Sequence, residues 1–343
     1  MKKFMKSTCI ISLSILLAFS NLTTVLASQH TGNNIMVKSG EYTFGVYESD
    51  NGASGVVRRY TNDNTRSIKG VDETKNLLYA LGYSENIVEK FTVDELKEYA
   101  SAPEIIVSVT YIRTDEKGNM TYVDEETALK EAEVVKEAEQ NNINNLINGI
   151  TPAYQEIDVE INDYMKVTYC VRVNGEVCDA YVIGEWLTMP AIRSYDSIGG
   201  CGQYMSYTPK TGECTVYYDK IETVNGQTTT TSVERAITNI QGANKDGWAG
   251  AAAIFQLPGN IVTSTHTVLY TDFSVIFKYD GKITEPDQSL NFNAIGTYRH
   301  STVAVTGNPS VSISTSGVDA GIGISVDRFK DTMSVWLEIN YTP

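Results

Sequence analysis

Residues 164–186 read YMKVTYCVRVNGEVCDAYVIGEW, and this stretch decides the fold. Two runs rich in Val, Thr, Tyr and Ile flank Asn174-Gly175, a dipeptide that accepts the positive φ of a tight turn and folds one run back on the other. Antiparallel pairing follows. Asn225-Gly226 and Asp280-Gly281 repeat the turn signal downstream, and helical periodicity is absent from Ala153 onward. Strands do not alternate with helices, so no parallel sheet is expected. Two stacked antiparallel sheets then bury one side of each strand. The sequence predicts a mainly β fold, an antiparallel β-sandwich over 151–343, with a barrel as the alternative.

Upstream the pattern changes. Asp72 stands where it could cap a helix carrying Leu77, Leu78 and Leu81, and Ser84 opens a second through Ile87, Val88 and Phe91. Thr92 with Glu95 has the capping-box spacing for a third, which Pro103 stops. Residues 104–113 alternate as a strand, returned by a turn at 115–119 into 120–123. Asp124 then starts a long helix to Asn148, with Leu129, Ala132, Val135, Ile143, Leu146 and Ile147 as its apolar face and much solvated charge elsewhere. Residues 71–150 thus form a small helical unit with a hairpin and a long helix, preceding the sandwich.

Residues 28–70, rich in Gly, Asn, Ser and Thr, read as a flexible leader with one strand-like alternation at 42–47. Residues 1–27 join Lys2, Lys3 and Lys6 to an apolar run from Cys9 to Phe19, too short for a core of about 30 Å. Small side chains end at Ala27. This is a signal peptide with cleavage expected before Ser28, which implies a secreted, extracellular product without a stable membrane anchor. The net charge of the 343 residues is −15, and the signal holds three lysines and no acids, so the released chain carries −18. No basic run or stripe is present to meet a polyanion, which excludes nucleic acid and disfavours anionic membrane surfaces.

After cleavage Cys170, Cys178, Cys201 and Cys214 remain, disulfide candidates in an oxidising compartment. Register decides the first pairing. A two-residue turn at Asn174-Gly175 sets Cys170 opposite Asp179, whereas a three-residue loop sets it opposite Cys178, and closing that loop would contribute about 3 kcal/mol. No Cys-x-x-Cys pair supports a metal, and no cofactor motif is present: Gly242 to Gly247 has phosphate-loop spacing, but Trp248-Ala249 stands where Lys and Ser or Thr are required. His30, His266 and His300 lie outside any hydrolase motif, so no catalytic residue is assigned.

The densest constellation is Glu185 to Asp196, with Trp186, Arg193, Tyr195 and Asp196. In the structural reading Trp186 packs in the core while Arg193 and Asp196 tie down a corner. In the functional reading Trp186, Tyr195 and an Arg193–Asp196 pair form a shallow platform for sugar or peptide. Together with Tyr164 to Thr168, this block resembles stretches of uncharacterised secreted β-rich proteins of Gram-positive bacteria. The resemblance implies no activity. A second candidate is the C-terminal hairpin, where Val311, Ile313, Ile322, Ile324 and Val326 alternate with serines and glycine as a pore-forming hairpin would. Its arms of about seven residues fall short of the apolar band of about 25 Å. The function expected is that of a non-enzymatic, secreted surface- or macromolecule-binding module, with a cell-wall or glycan surface as partner. The alternatives are a β-hairpin pore-forming toxin-like protein and a secreted hydrolase without a recognisable motif.

Overall fold

The computed structural model describes residues 25–26, 35–39, 42–48, 56–62, 70–115, 119–147, 162–190, 193, 195–245, 247–263, 265–300, 309–314, 317–322 and 331–343. Most of the expected signal peptide with its cleavage site, His30, Ala191, Ile192 and Ser194, and Ile324 and Val326 of the expected C-terminal hairpin, lie outside the described residues. In chain order the elements are β1 (Val25–Leu26), β2 (Ile35–Ser39), β3 (Tyr42–Glu48), β4 (Val56–Thr61), α1 (Val71–Ala80), α2 (Glu85–Val88), α3 (Val93–Ser101), β5 (Glu104–Thr114), β6 (Met120–Val123) and α4 (Glu125–Ile147). The second half supplies β7 (Asp163–Asn174), β8 (Val177–Trp186), β9 (Tyr195–Gln203), β10 (Met205–Tyr207), β11 (Glu213–Val224), β12 (Gln227–Ile237), β13 (Ile240–Lys245) and β14 (Trp248–Gln256). It ends with β15 (Ile261–Val262), β16 (His266–Ile283), β17 (Leu290–His300), β18 (Pro309–Ser314), β19 (Gly317–Ile322) and β20 (Asp331–Tyr341).

The fold is mainly β, an antiparallel sandwich with a small helical unit ahead of its principal strands. A 13-stranded sheet runs β1-β2-β3-β4-β5-β7-β8-β16-β11-β12, with β6, β10 and β15 on shorter pairings, and a five-stranded sheet runs β13-β14-β9-β17-β20. One core lies between the sheets, where Val167, Tyr169, Val182, Phe277 and Tyr279 meet Ile198, Phe255, Ala294, Tyr298 and Leu337. The close approach has a local cause. A side chain at Gly296 would reach within 2.6 Å of the Tyr169 ring and one at Gly200 within 3.2 Å, so these two glycines form the seat of that ring.

The large sheet is buried on its second face as well, which the alternating pattern did not announce. Leu77, Leu78 and Leu81 of the α1 segment, Ile87 and Val88 of α2, Leu96 and Tyr99 of α3, and Ala128, Ala132 and Val135 of α4 pack on Val107, Cys170, Tyr181 and Ile183. Each fully buried Leu or Ile contributes about 1.5 to 3 kcal/mol. Strand β7 is accordingly buried along its length up to Val173. Strand β5, from 71–150, pairs with β7 from Glu104↔Val173 to Thr114↔Asp163, so both regions share one sheet. Within 28–70, β2, β3 and β4 pair in succession and β4 joins β5.

The local signals behave as their chemistry requires, with exceptions. Thr92 and Glu95 form the capping box, Ser84 accepts from the Ile87 N–H, and Asp124 accepts from the Thr127 N–H at 2.8 Å. Asp72 lies in the first turn of α1, and Gly70 occupies the cap. Leu129 is exposed and Ala128 takes its place on the buried face of α4. Asp280-Gly281 is not a turn: β16 runs straight through it to Ile283. There Gly281 admits β10, since a side chain would stand 3.0 Å from the Ser206 carbonyl.

The first hairpin corrects the cysteine register. Its two-residue loop is Gly175-Glu176, Val173 faces Cys178 and Cys170 faces Tyr181. Cys170 therefore belongs to the helix-side core and Cys178 to the inter-sheet core, so neither register considered from sequence is adopted. No disulfide joins the four cysteines in this structure. Burial pushes the Cys170 thiol up to about 11 and that of Cys178 to about 12, which makes both poor nucleophiles at neutral pH.

Candidate ligand-binding cleft

The residues singled out from sequence divide between two interior arrangements. Trp186 ends β8 and is buried; its indole N–H donates to the Tyr298 hydroxyl at 3.3 Å, and its ring meets His300 edge-on at 4.7 Å. Asp196 is fully buried on β9 and accepts from the Tyr298 hydroxyl at 2.5 Å, with the His300 Nδ1 at 2.9 Å. Trp186 and Asp196 thus come together through Tyr298 and His300, two residues whose proximity nothing in the sequence marked. The network is enclosed, which suits it to fixing the ends of β8, β9 and β17.

Arg193 does not pair with Asp196. Its guanidinium donates to the Asn260 side-chain oxygen at 2.5 Å and to the Pro258 carbonyl at 3.4 Å, and stacks 5.1 Å from the centre of the Phe273 ring. Burial lowers its pKa to about 10 against the opposing pull of Glu139 and Asp163. Tyr195 is half-buried opposite Gln256 at the start of β9. These four residues form no common open platform.

An open cleft of about 630 Å³ lies instead at the other end of β9. Three connections build it: the β9–β10 corner brings Gln203, Tyr204 and Ser206, the β13–β14 turn brings Asn244, Gly247 and Trp248, and the segment after β16 brings Thr284 and Glu285. Tyr204 is the prominent wall. It is 40% exposed, and its φ of 50° places a bulky side chain in the left-handed region, a conformation that costs of the order of 1 to 3 kcal/mol. Two backbone bonds enforce it: the Tyr204 N–H donates to the Gly247 carbonyl at 3.3 Å, and the Tyr204 carbonyl accepts from Thr284 at 2.8 Å. The ring rests edge-on against Phe292 at 6.3 Å.

Trp248 faces Gln203 across the β9–β14 ladder and is buried, so it forms the floor beneath the cleft and Tyr204 is its exposed ring. Gln203 accepts the Asn293 N–H at 3.1 Å through Oε1, and Asn244 accepts the Tyr207 N–H at 3.5 Å through Oδ1. Their NH2 groups are left as the donors each amide has to offer. The Ser206 hydroxyl donates to the Lys282 carbonyl at 3.3 Å. Glu285 carries the single formal charge of the lining. The arrangement combines one exposed aromatic ring with amides and hydroxyls, a surface for a neutral, hydroxyl-rich ligand. Among the described residues no cluster of three His, Cys, Asp or Glu side chains could hold a metal. The residues of the cleft come from three separate connections; Asn244, Gly247 and Trp248 fall in the stretch noted in the sequence for phosphate-loop spacing, and the rest carried no signal.

No protein-family model matches the chain, and no curated protein sequence does. Among solved structures it is similar to the pilus backbone protein RrgB of Streptococcus pneumoniae, with a TM-score of 0.22 and 10% identity over 50% of this chain and 70% of that one. It is similar to the KRT10-binding region domain of the pneumococcal serine-rich repeat protein PsrP, at 0.18 and 8% over 42% and 80%. It is also similar to the delta-toxin of Clostridium perfringens, at 0.20 and 7% over 91% and 95%. At these scores neither a fold nor a residue role passes from the neighbours to the chain.

Proposed function

We propose that this chain is a secreted, non-catalytic binding protein that holds a saccharide of a cell-wall or glycan surface in the Tyr204–Trp248 cleft. One observation carries the reading: Tyr204 is held 40% exposed in a costly backbone conformation, at a cleft with a single charge. Strained, exposed aromatics are arranged for contact more often than for packing. Sugar rings offer apolar C–H faces to such rings and hydroxyls to the amides of Gln203 and Asn244. The net charge of −15 fits a neutral ligand better than an anionic one.

Retention of the purified chain on glycan arrays and on insoluble cell wall tests this. Asn244→Ala and Tyr204→Ala are each expected to lower retention at least tenfold, the loss of about 1.4 kcal/mol of contact, with the far-ultraviolet spectrum unchanged. Binding that survives both substitutions would sink the cleft, and binding to no surface would sink the function. A second reading, membrane insertion by a hairpin, has one observation in its favour. β18 and β19 form their own two-stranded sheet lying against β9, β13, β14 and β17, with Val311↔Ala320 and Ile313↔Val318 alternating with Ser310↔Gly321 and Ser312↔Asp319. Arms of six residues span about 20 Å, short of the band, and dye release from liposomes decides the matter.

A further inference from the structure

The large sheet ends in β12, and among the described residues β11 is its one neighbour. Proteins protect such edges by making the strand short, by placing charge or Pro on it, or by a bulge. The peripheral strands β6, β10 and β15 are short, at 4, 3 and 2 residues. β12 has 11 residues and pairs with β11 without a bulge. Its first seven, Gln227 to Val233, contain no charge, Pro or Gly, and 227–232 are exposed at every position. Successive side chains point to opposite faces, so this stretch is open on both faces as well as at its edge.

The turn determines which main-chain groups face outward. Asn225 and Gly226 form a two-residue loop with φ of 51° and 78°, the type that closes on a hydrogen-bonded pair, here Val224 and Gln227. Alternation along an antiparallel ladder then turns the N–H and C=O of Gln227, Thr229, Thr231 and Val233 towards β11, and those of Thr228, Thr230 and Ser232 towards solvent.

We propose that this edge pairs with the same edge of a second copy of the chain, antiparallel, about a two-fold axis at Thr230. In that register Thr230 faces its own copy, Thr229 faces Thr231, and Thr228 faces Ser232. Every outward-facing residue meets an outward-facing residue, which gives about six main-chain hydrogen bonds. The side-chain pairs are Thr with Thr or Ser, a favourable cross-strand combination, and a threonine tract is its own complement. The charged end of the strand limits the pairing: Glu234 and Arg235 lie beyond the patch, and the Arg235 guanidinium is engaged by the Gln256 carbonyl of its own chain. Self-complementarity identifies a second copy as the occupant, and the isologous contact closes on itself without forming a filament. With the expected signal removed each copy carries −18, so two copies repel and salt should strengthen the dimer.

Sedimentation of the purified chain from micromolar to millimolar concentration tests this. A monomer–dimer equilibrium that shifts towards dimer as salt rises is expected. Thr230→Lys sets two lysines against each other on the axis while leaving an edge strand intact, and is expected to weaken the dimer at least tenfold with the melting temperature unchanged. Ser232→Pro, which removes an outward N–H, should act in the same direction. A chain that stays monomeric overturns the proposal, as does a dimer indifferent to both substitutions. A monomer that instead takes up a strand peptide of unrelated sequence would overturn it too, assigning the edge to another partner.

Discussion

Tyr204 sits in a conformation that glycine adopts without strain, and its ring is 40% exposed. If the ring serves a ligand, fold and function make opposite demands at this position. Tyr204→Gly removes the left-handed cost of about 1 to 3 kcal/mol while giving up the edge contact with Phe292 and adding freedom to the unfolded chain, each about 1 kcal/mol in the opposite direction. The expected outcome is a melting temperature within a few degrees of the parent and complete loss of surface retention. Thermal melts beside the binding assay check it, and a strongly destabilised variant would mark Tyr204 as a structural side chain. Nothing in the sequence around Gln203-Tyr204-Met205 signals this, because the conformation is imposed by Gly247 and Thr284. The capping residues Ser84, Thr92 and Asp124 were legible for the converse reason: each acts on a backbone N–H three residues away. Asp280-Gly281 misled because a glycine required for the approach of β10 looks the same, in sequence, as one required for a turn.

Helix α4 shows what an element gains from its surroundings. Its pattern gave its boundaries but not its polar ties to the sheet, among them Glu139, which accepts the Met189 N–H at 2.9 Å where the chain leaves β8. Burial raises this carboxyl from 4.5 to about 7, with Asp163 adding to the effect and the Met189 N–H, Lys136 and Arg193 opposing it. The sign follows from proton uptake. Between about pH 4.5 and 7 the folded chain holds a proton that the unfolded chain has lost, so this contribution is complete below 4.5 and declines as pH rises towards 7. Glu139→Gln keeps an acceptor and removes the titration. Relative to it, the parent should lose about 1 to 2 kcal/mol across that window after allowance for solvent screening. Denaturant titrations at several pH values check this, and parallel curves for the two proteins would refute it. The strands were legible at the same scale through period-two alternation. β7 and β8 break that alternation because helices cover their second face, a tertiary fact that no window of sequence contains.

At the scale of the molecule, the large sheet is a wall common to two cores, and this has a consequence for unfolding. Arg172 on β7 is 4% exposed; it meets Glu98 of α3 at 3.0 Å and Asp179 of β8 at 3.1 Å, and stacks 4.6 Å and 5.0 Å from the rings of Tyr99 and Tyr181. Lys278 on β16 reaches Glu95 of α3 at 2.8 Å, and Ser84 donates to Glu185 of β8, whose other oxygen lies 3.4 Å from Lys166. Removing the helices would leave Lys166, Glu185 and Arg172 with fewer partners against an uncovered apolar face, which is costly for buried charge. The helical unit and the sandwich should therefore unfold together. Leu78→Ala, a cavity wholly on the helix side, is expected to cost about 2 to 5 kcal/mol and to lower the stability read from tryptophan fluorescence by the same amount, although Trp186, Trp248 and Trp336 all lie on sandwich strands. Far-ultraviolet dichroism and fluorescence should trace one transition in both proteins. Two separated transitions, with helical signal lost while the tryptophan fluorescence stays native, would mean that the central sheet does not couple its faces.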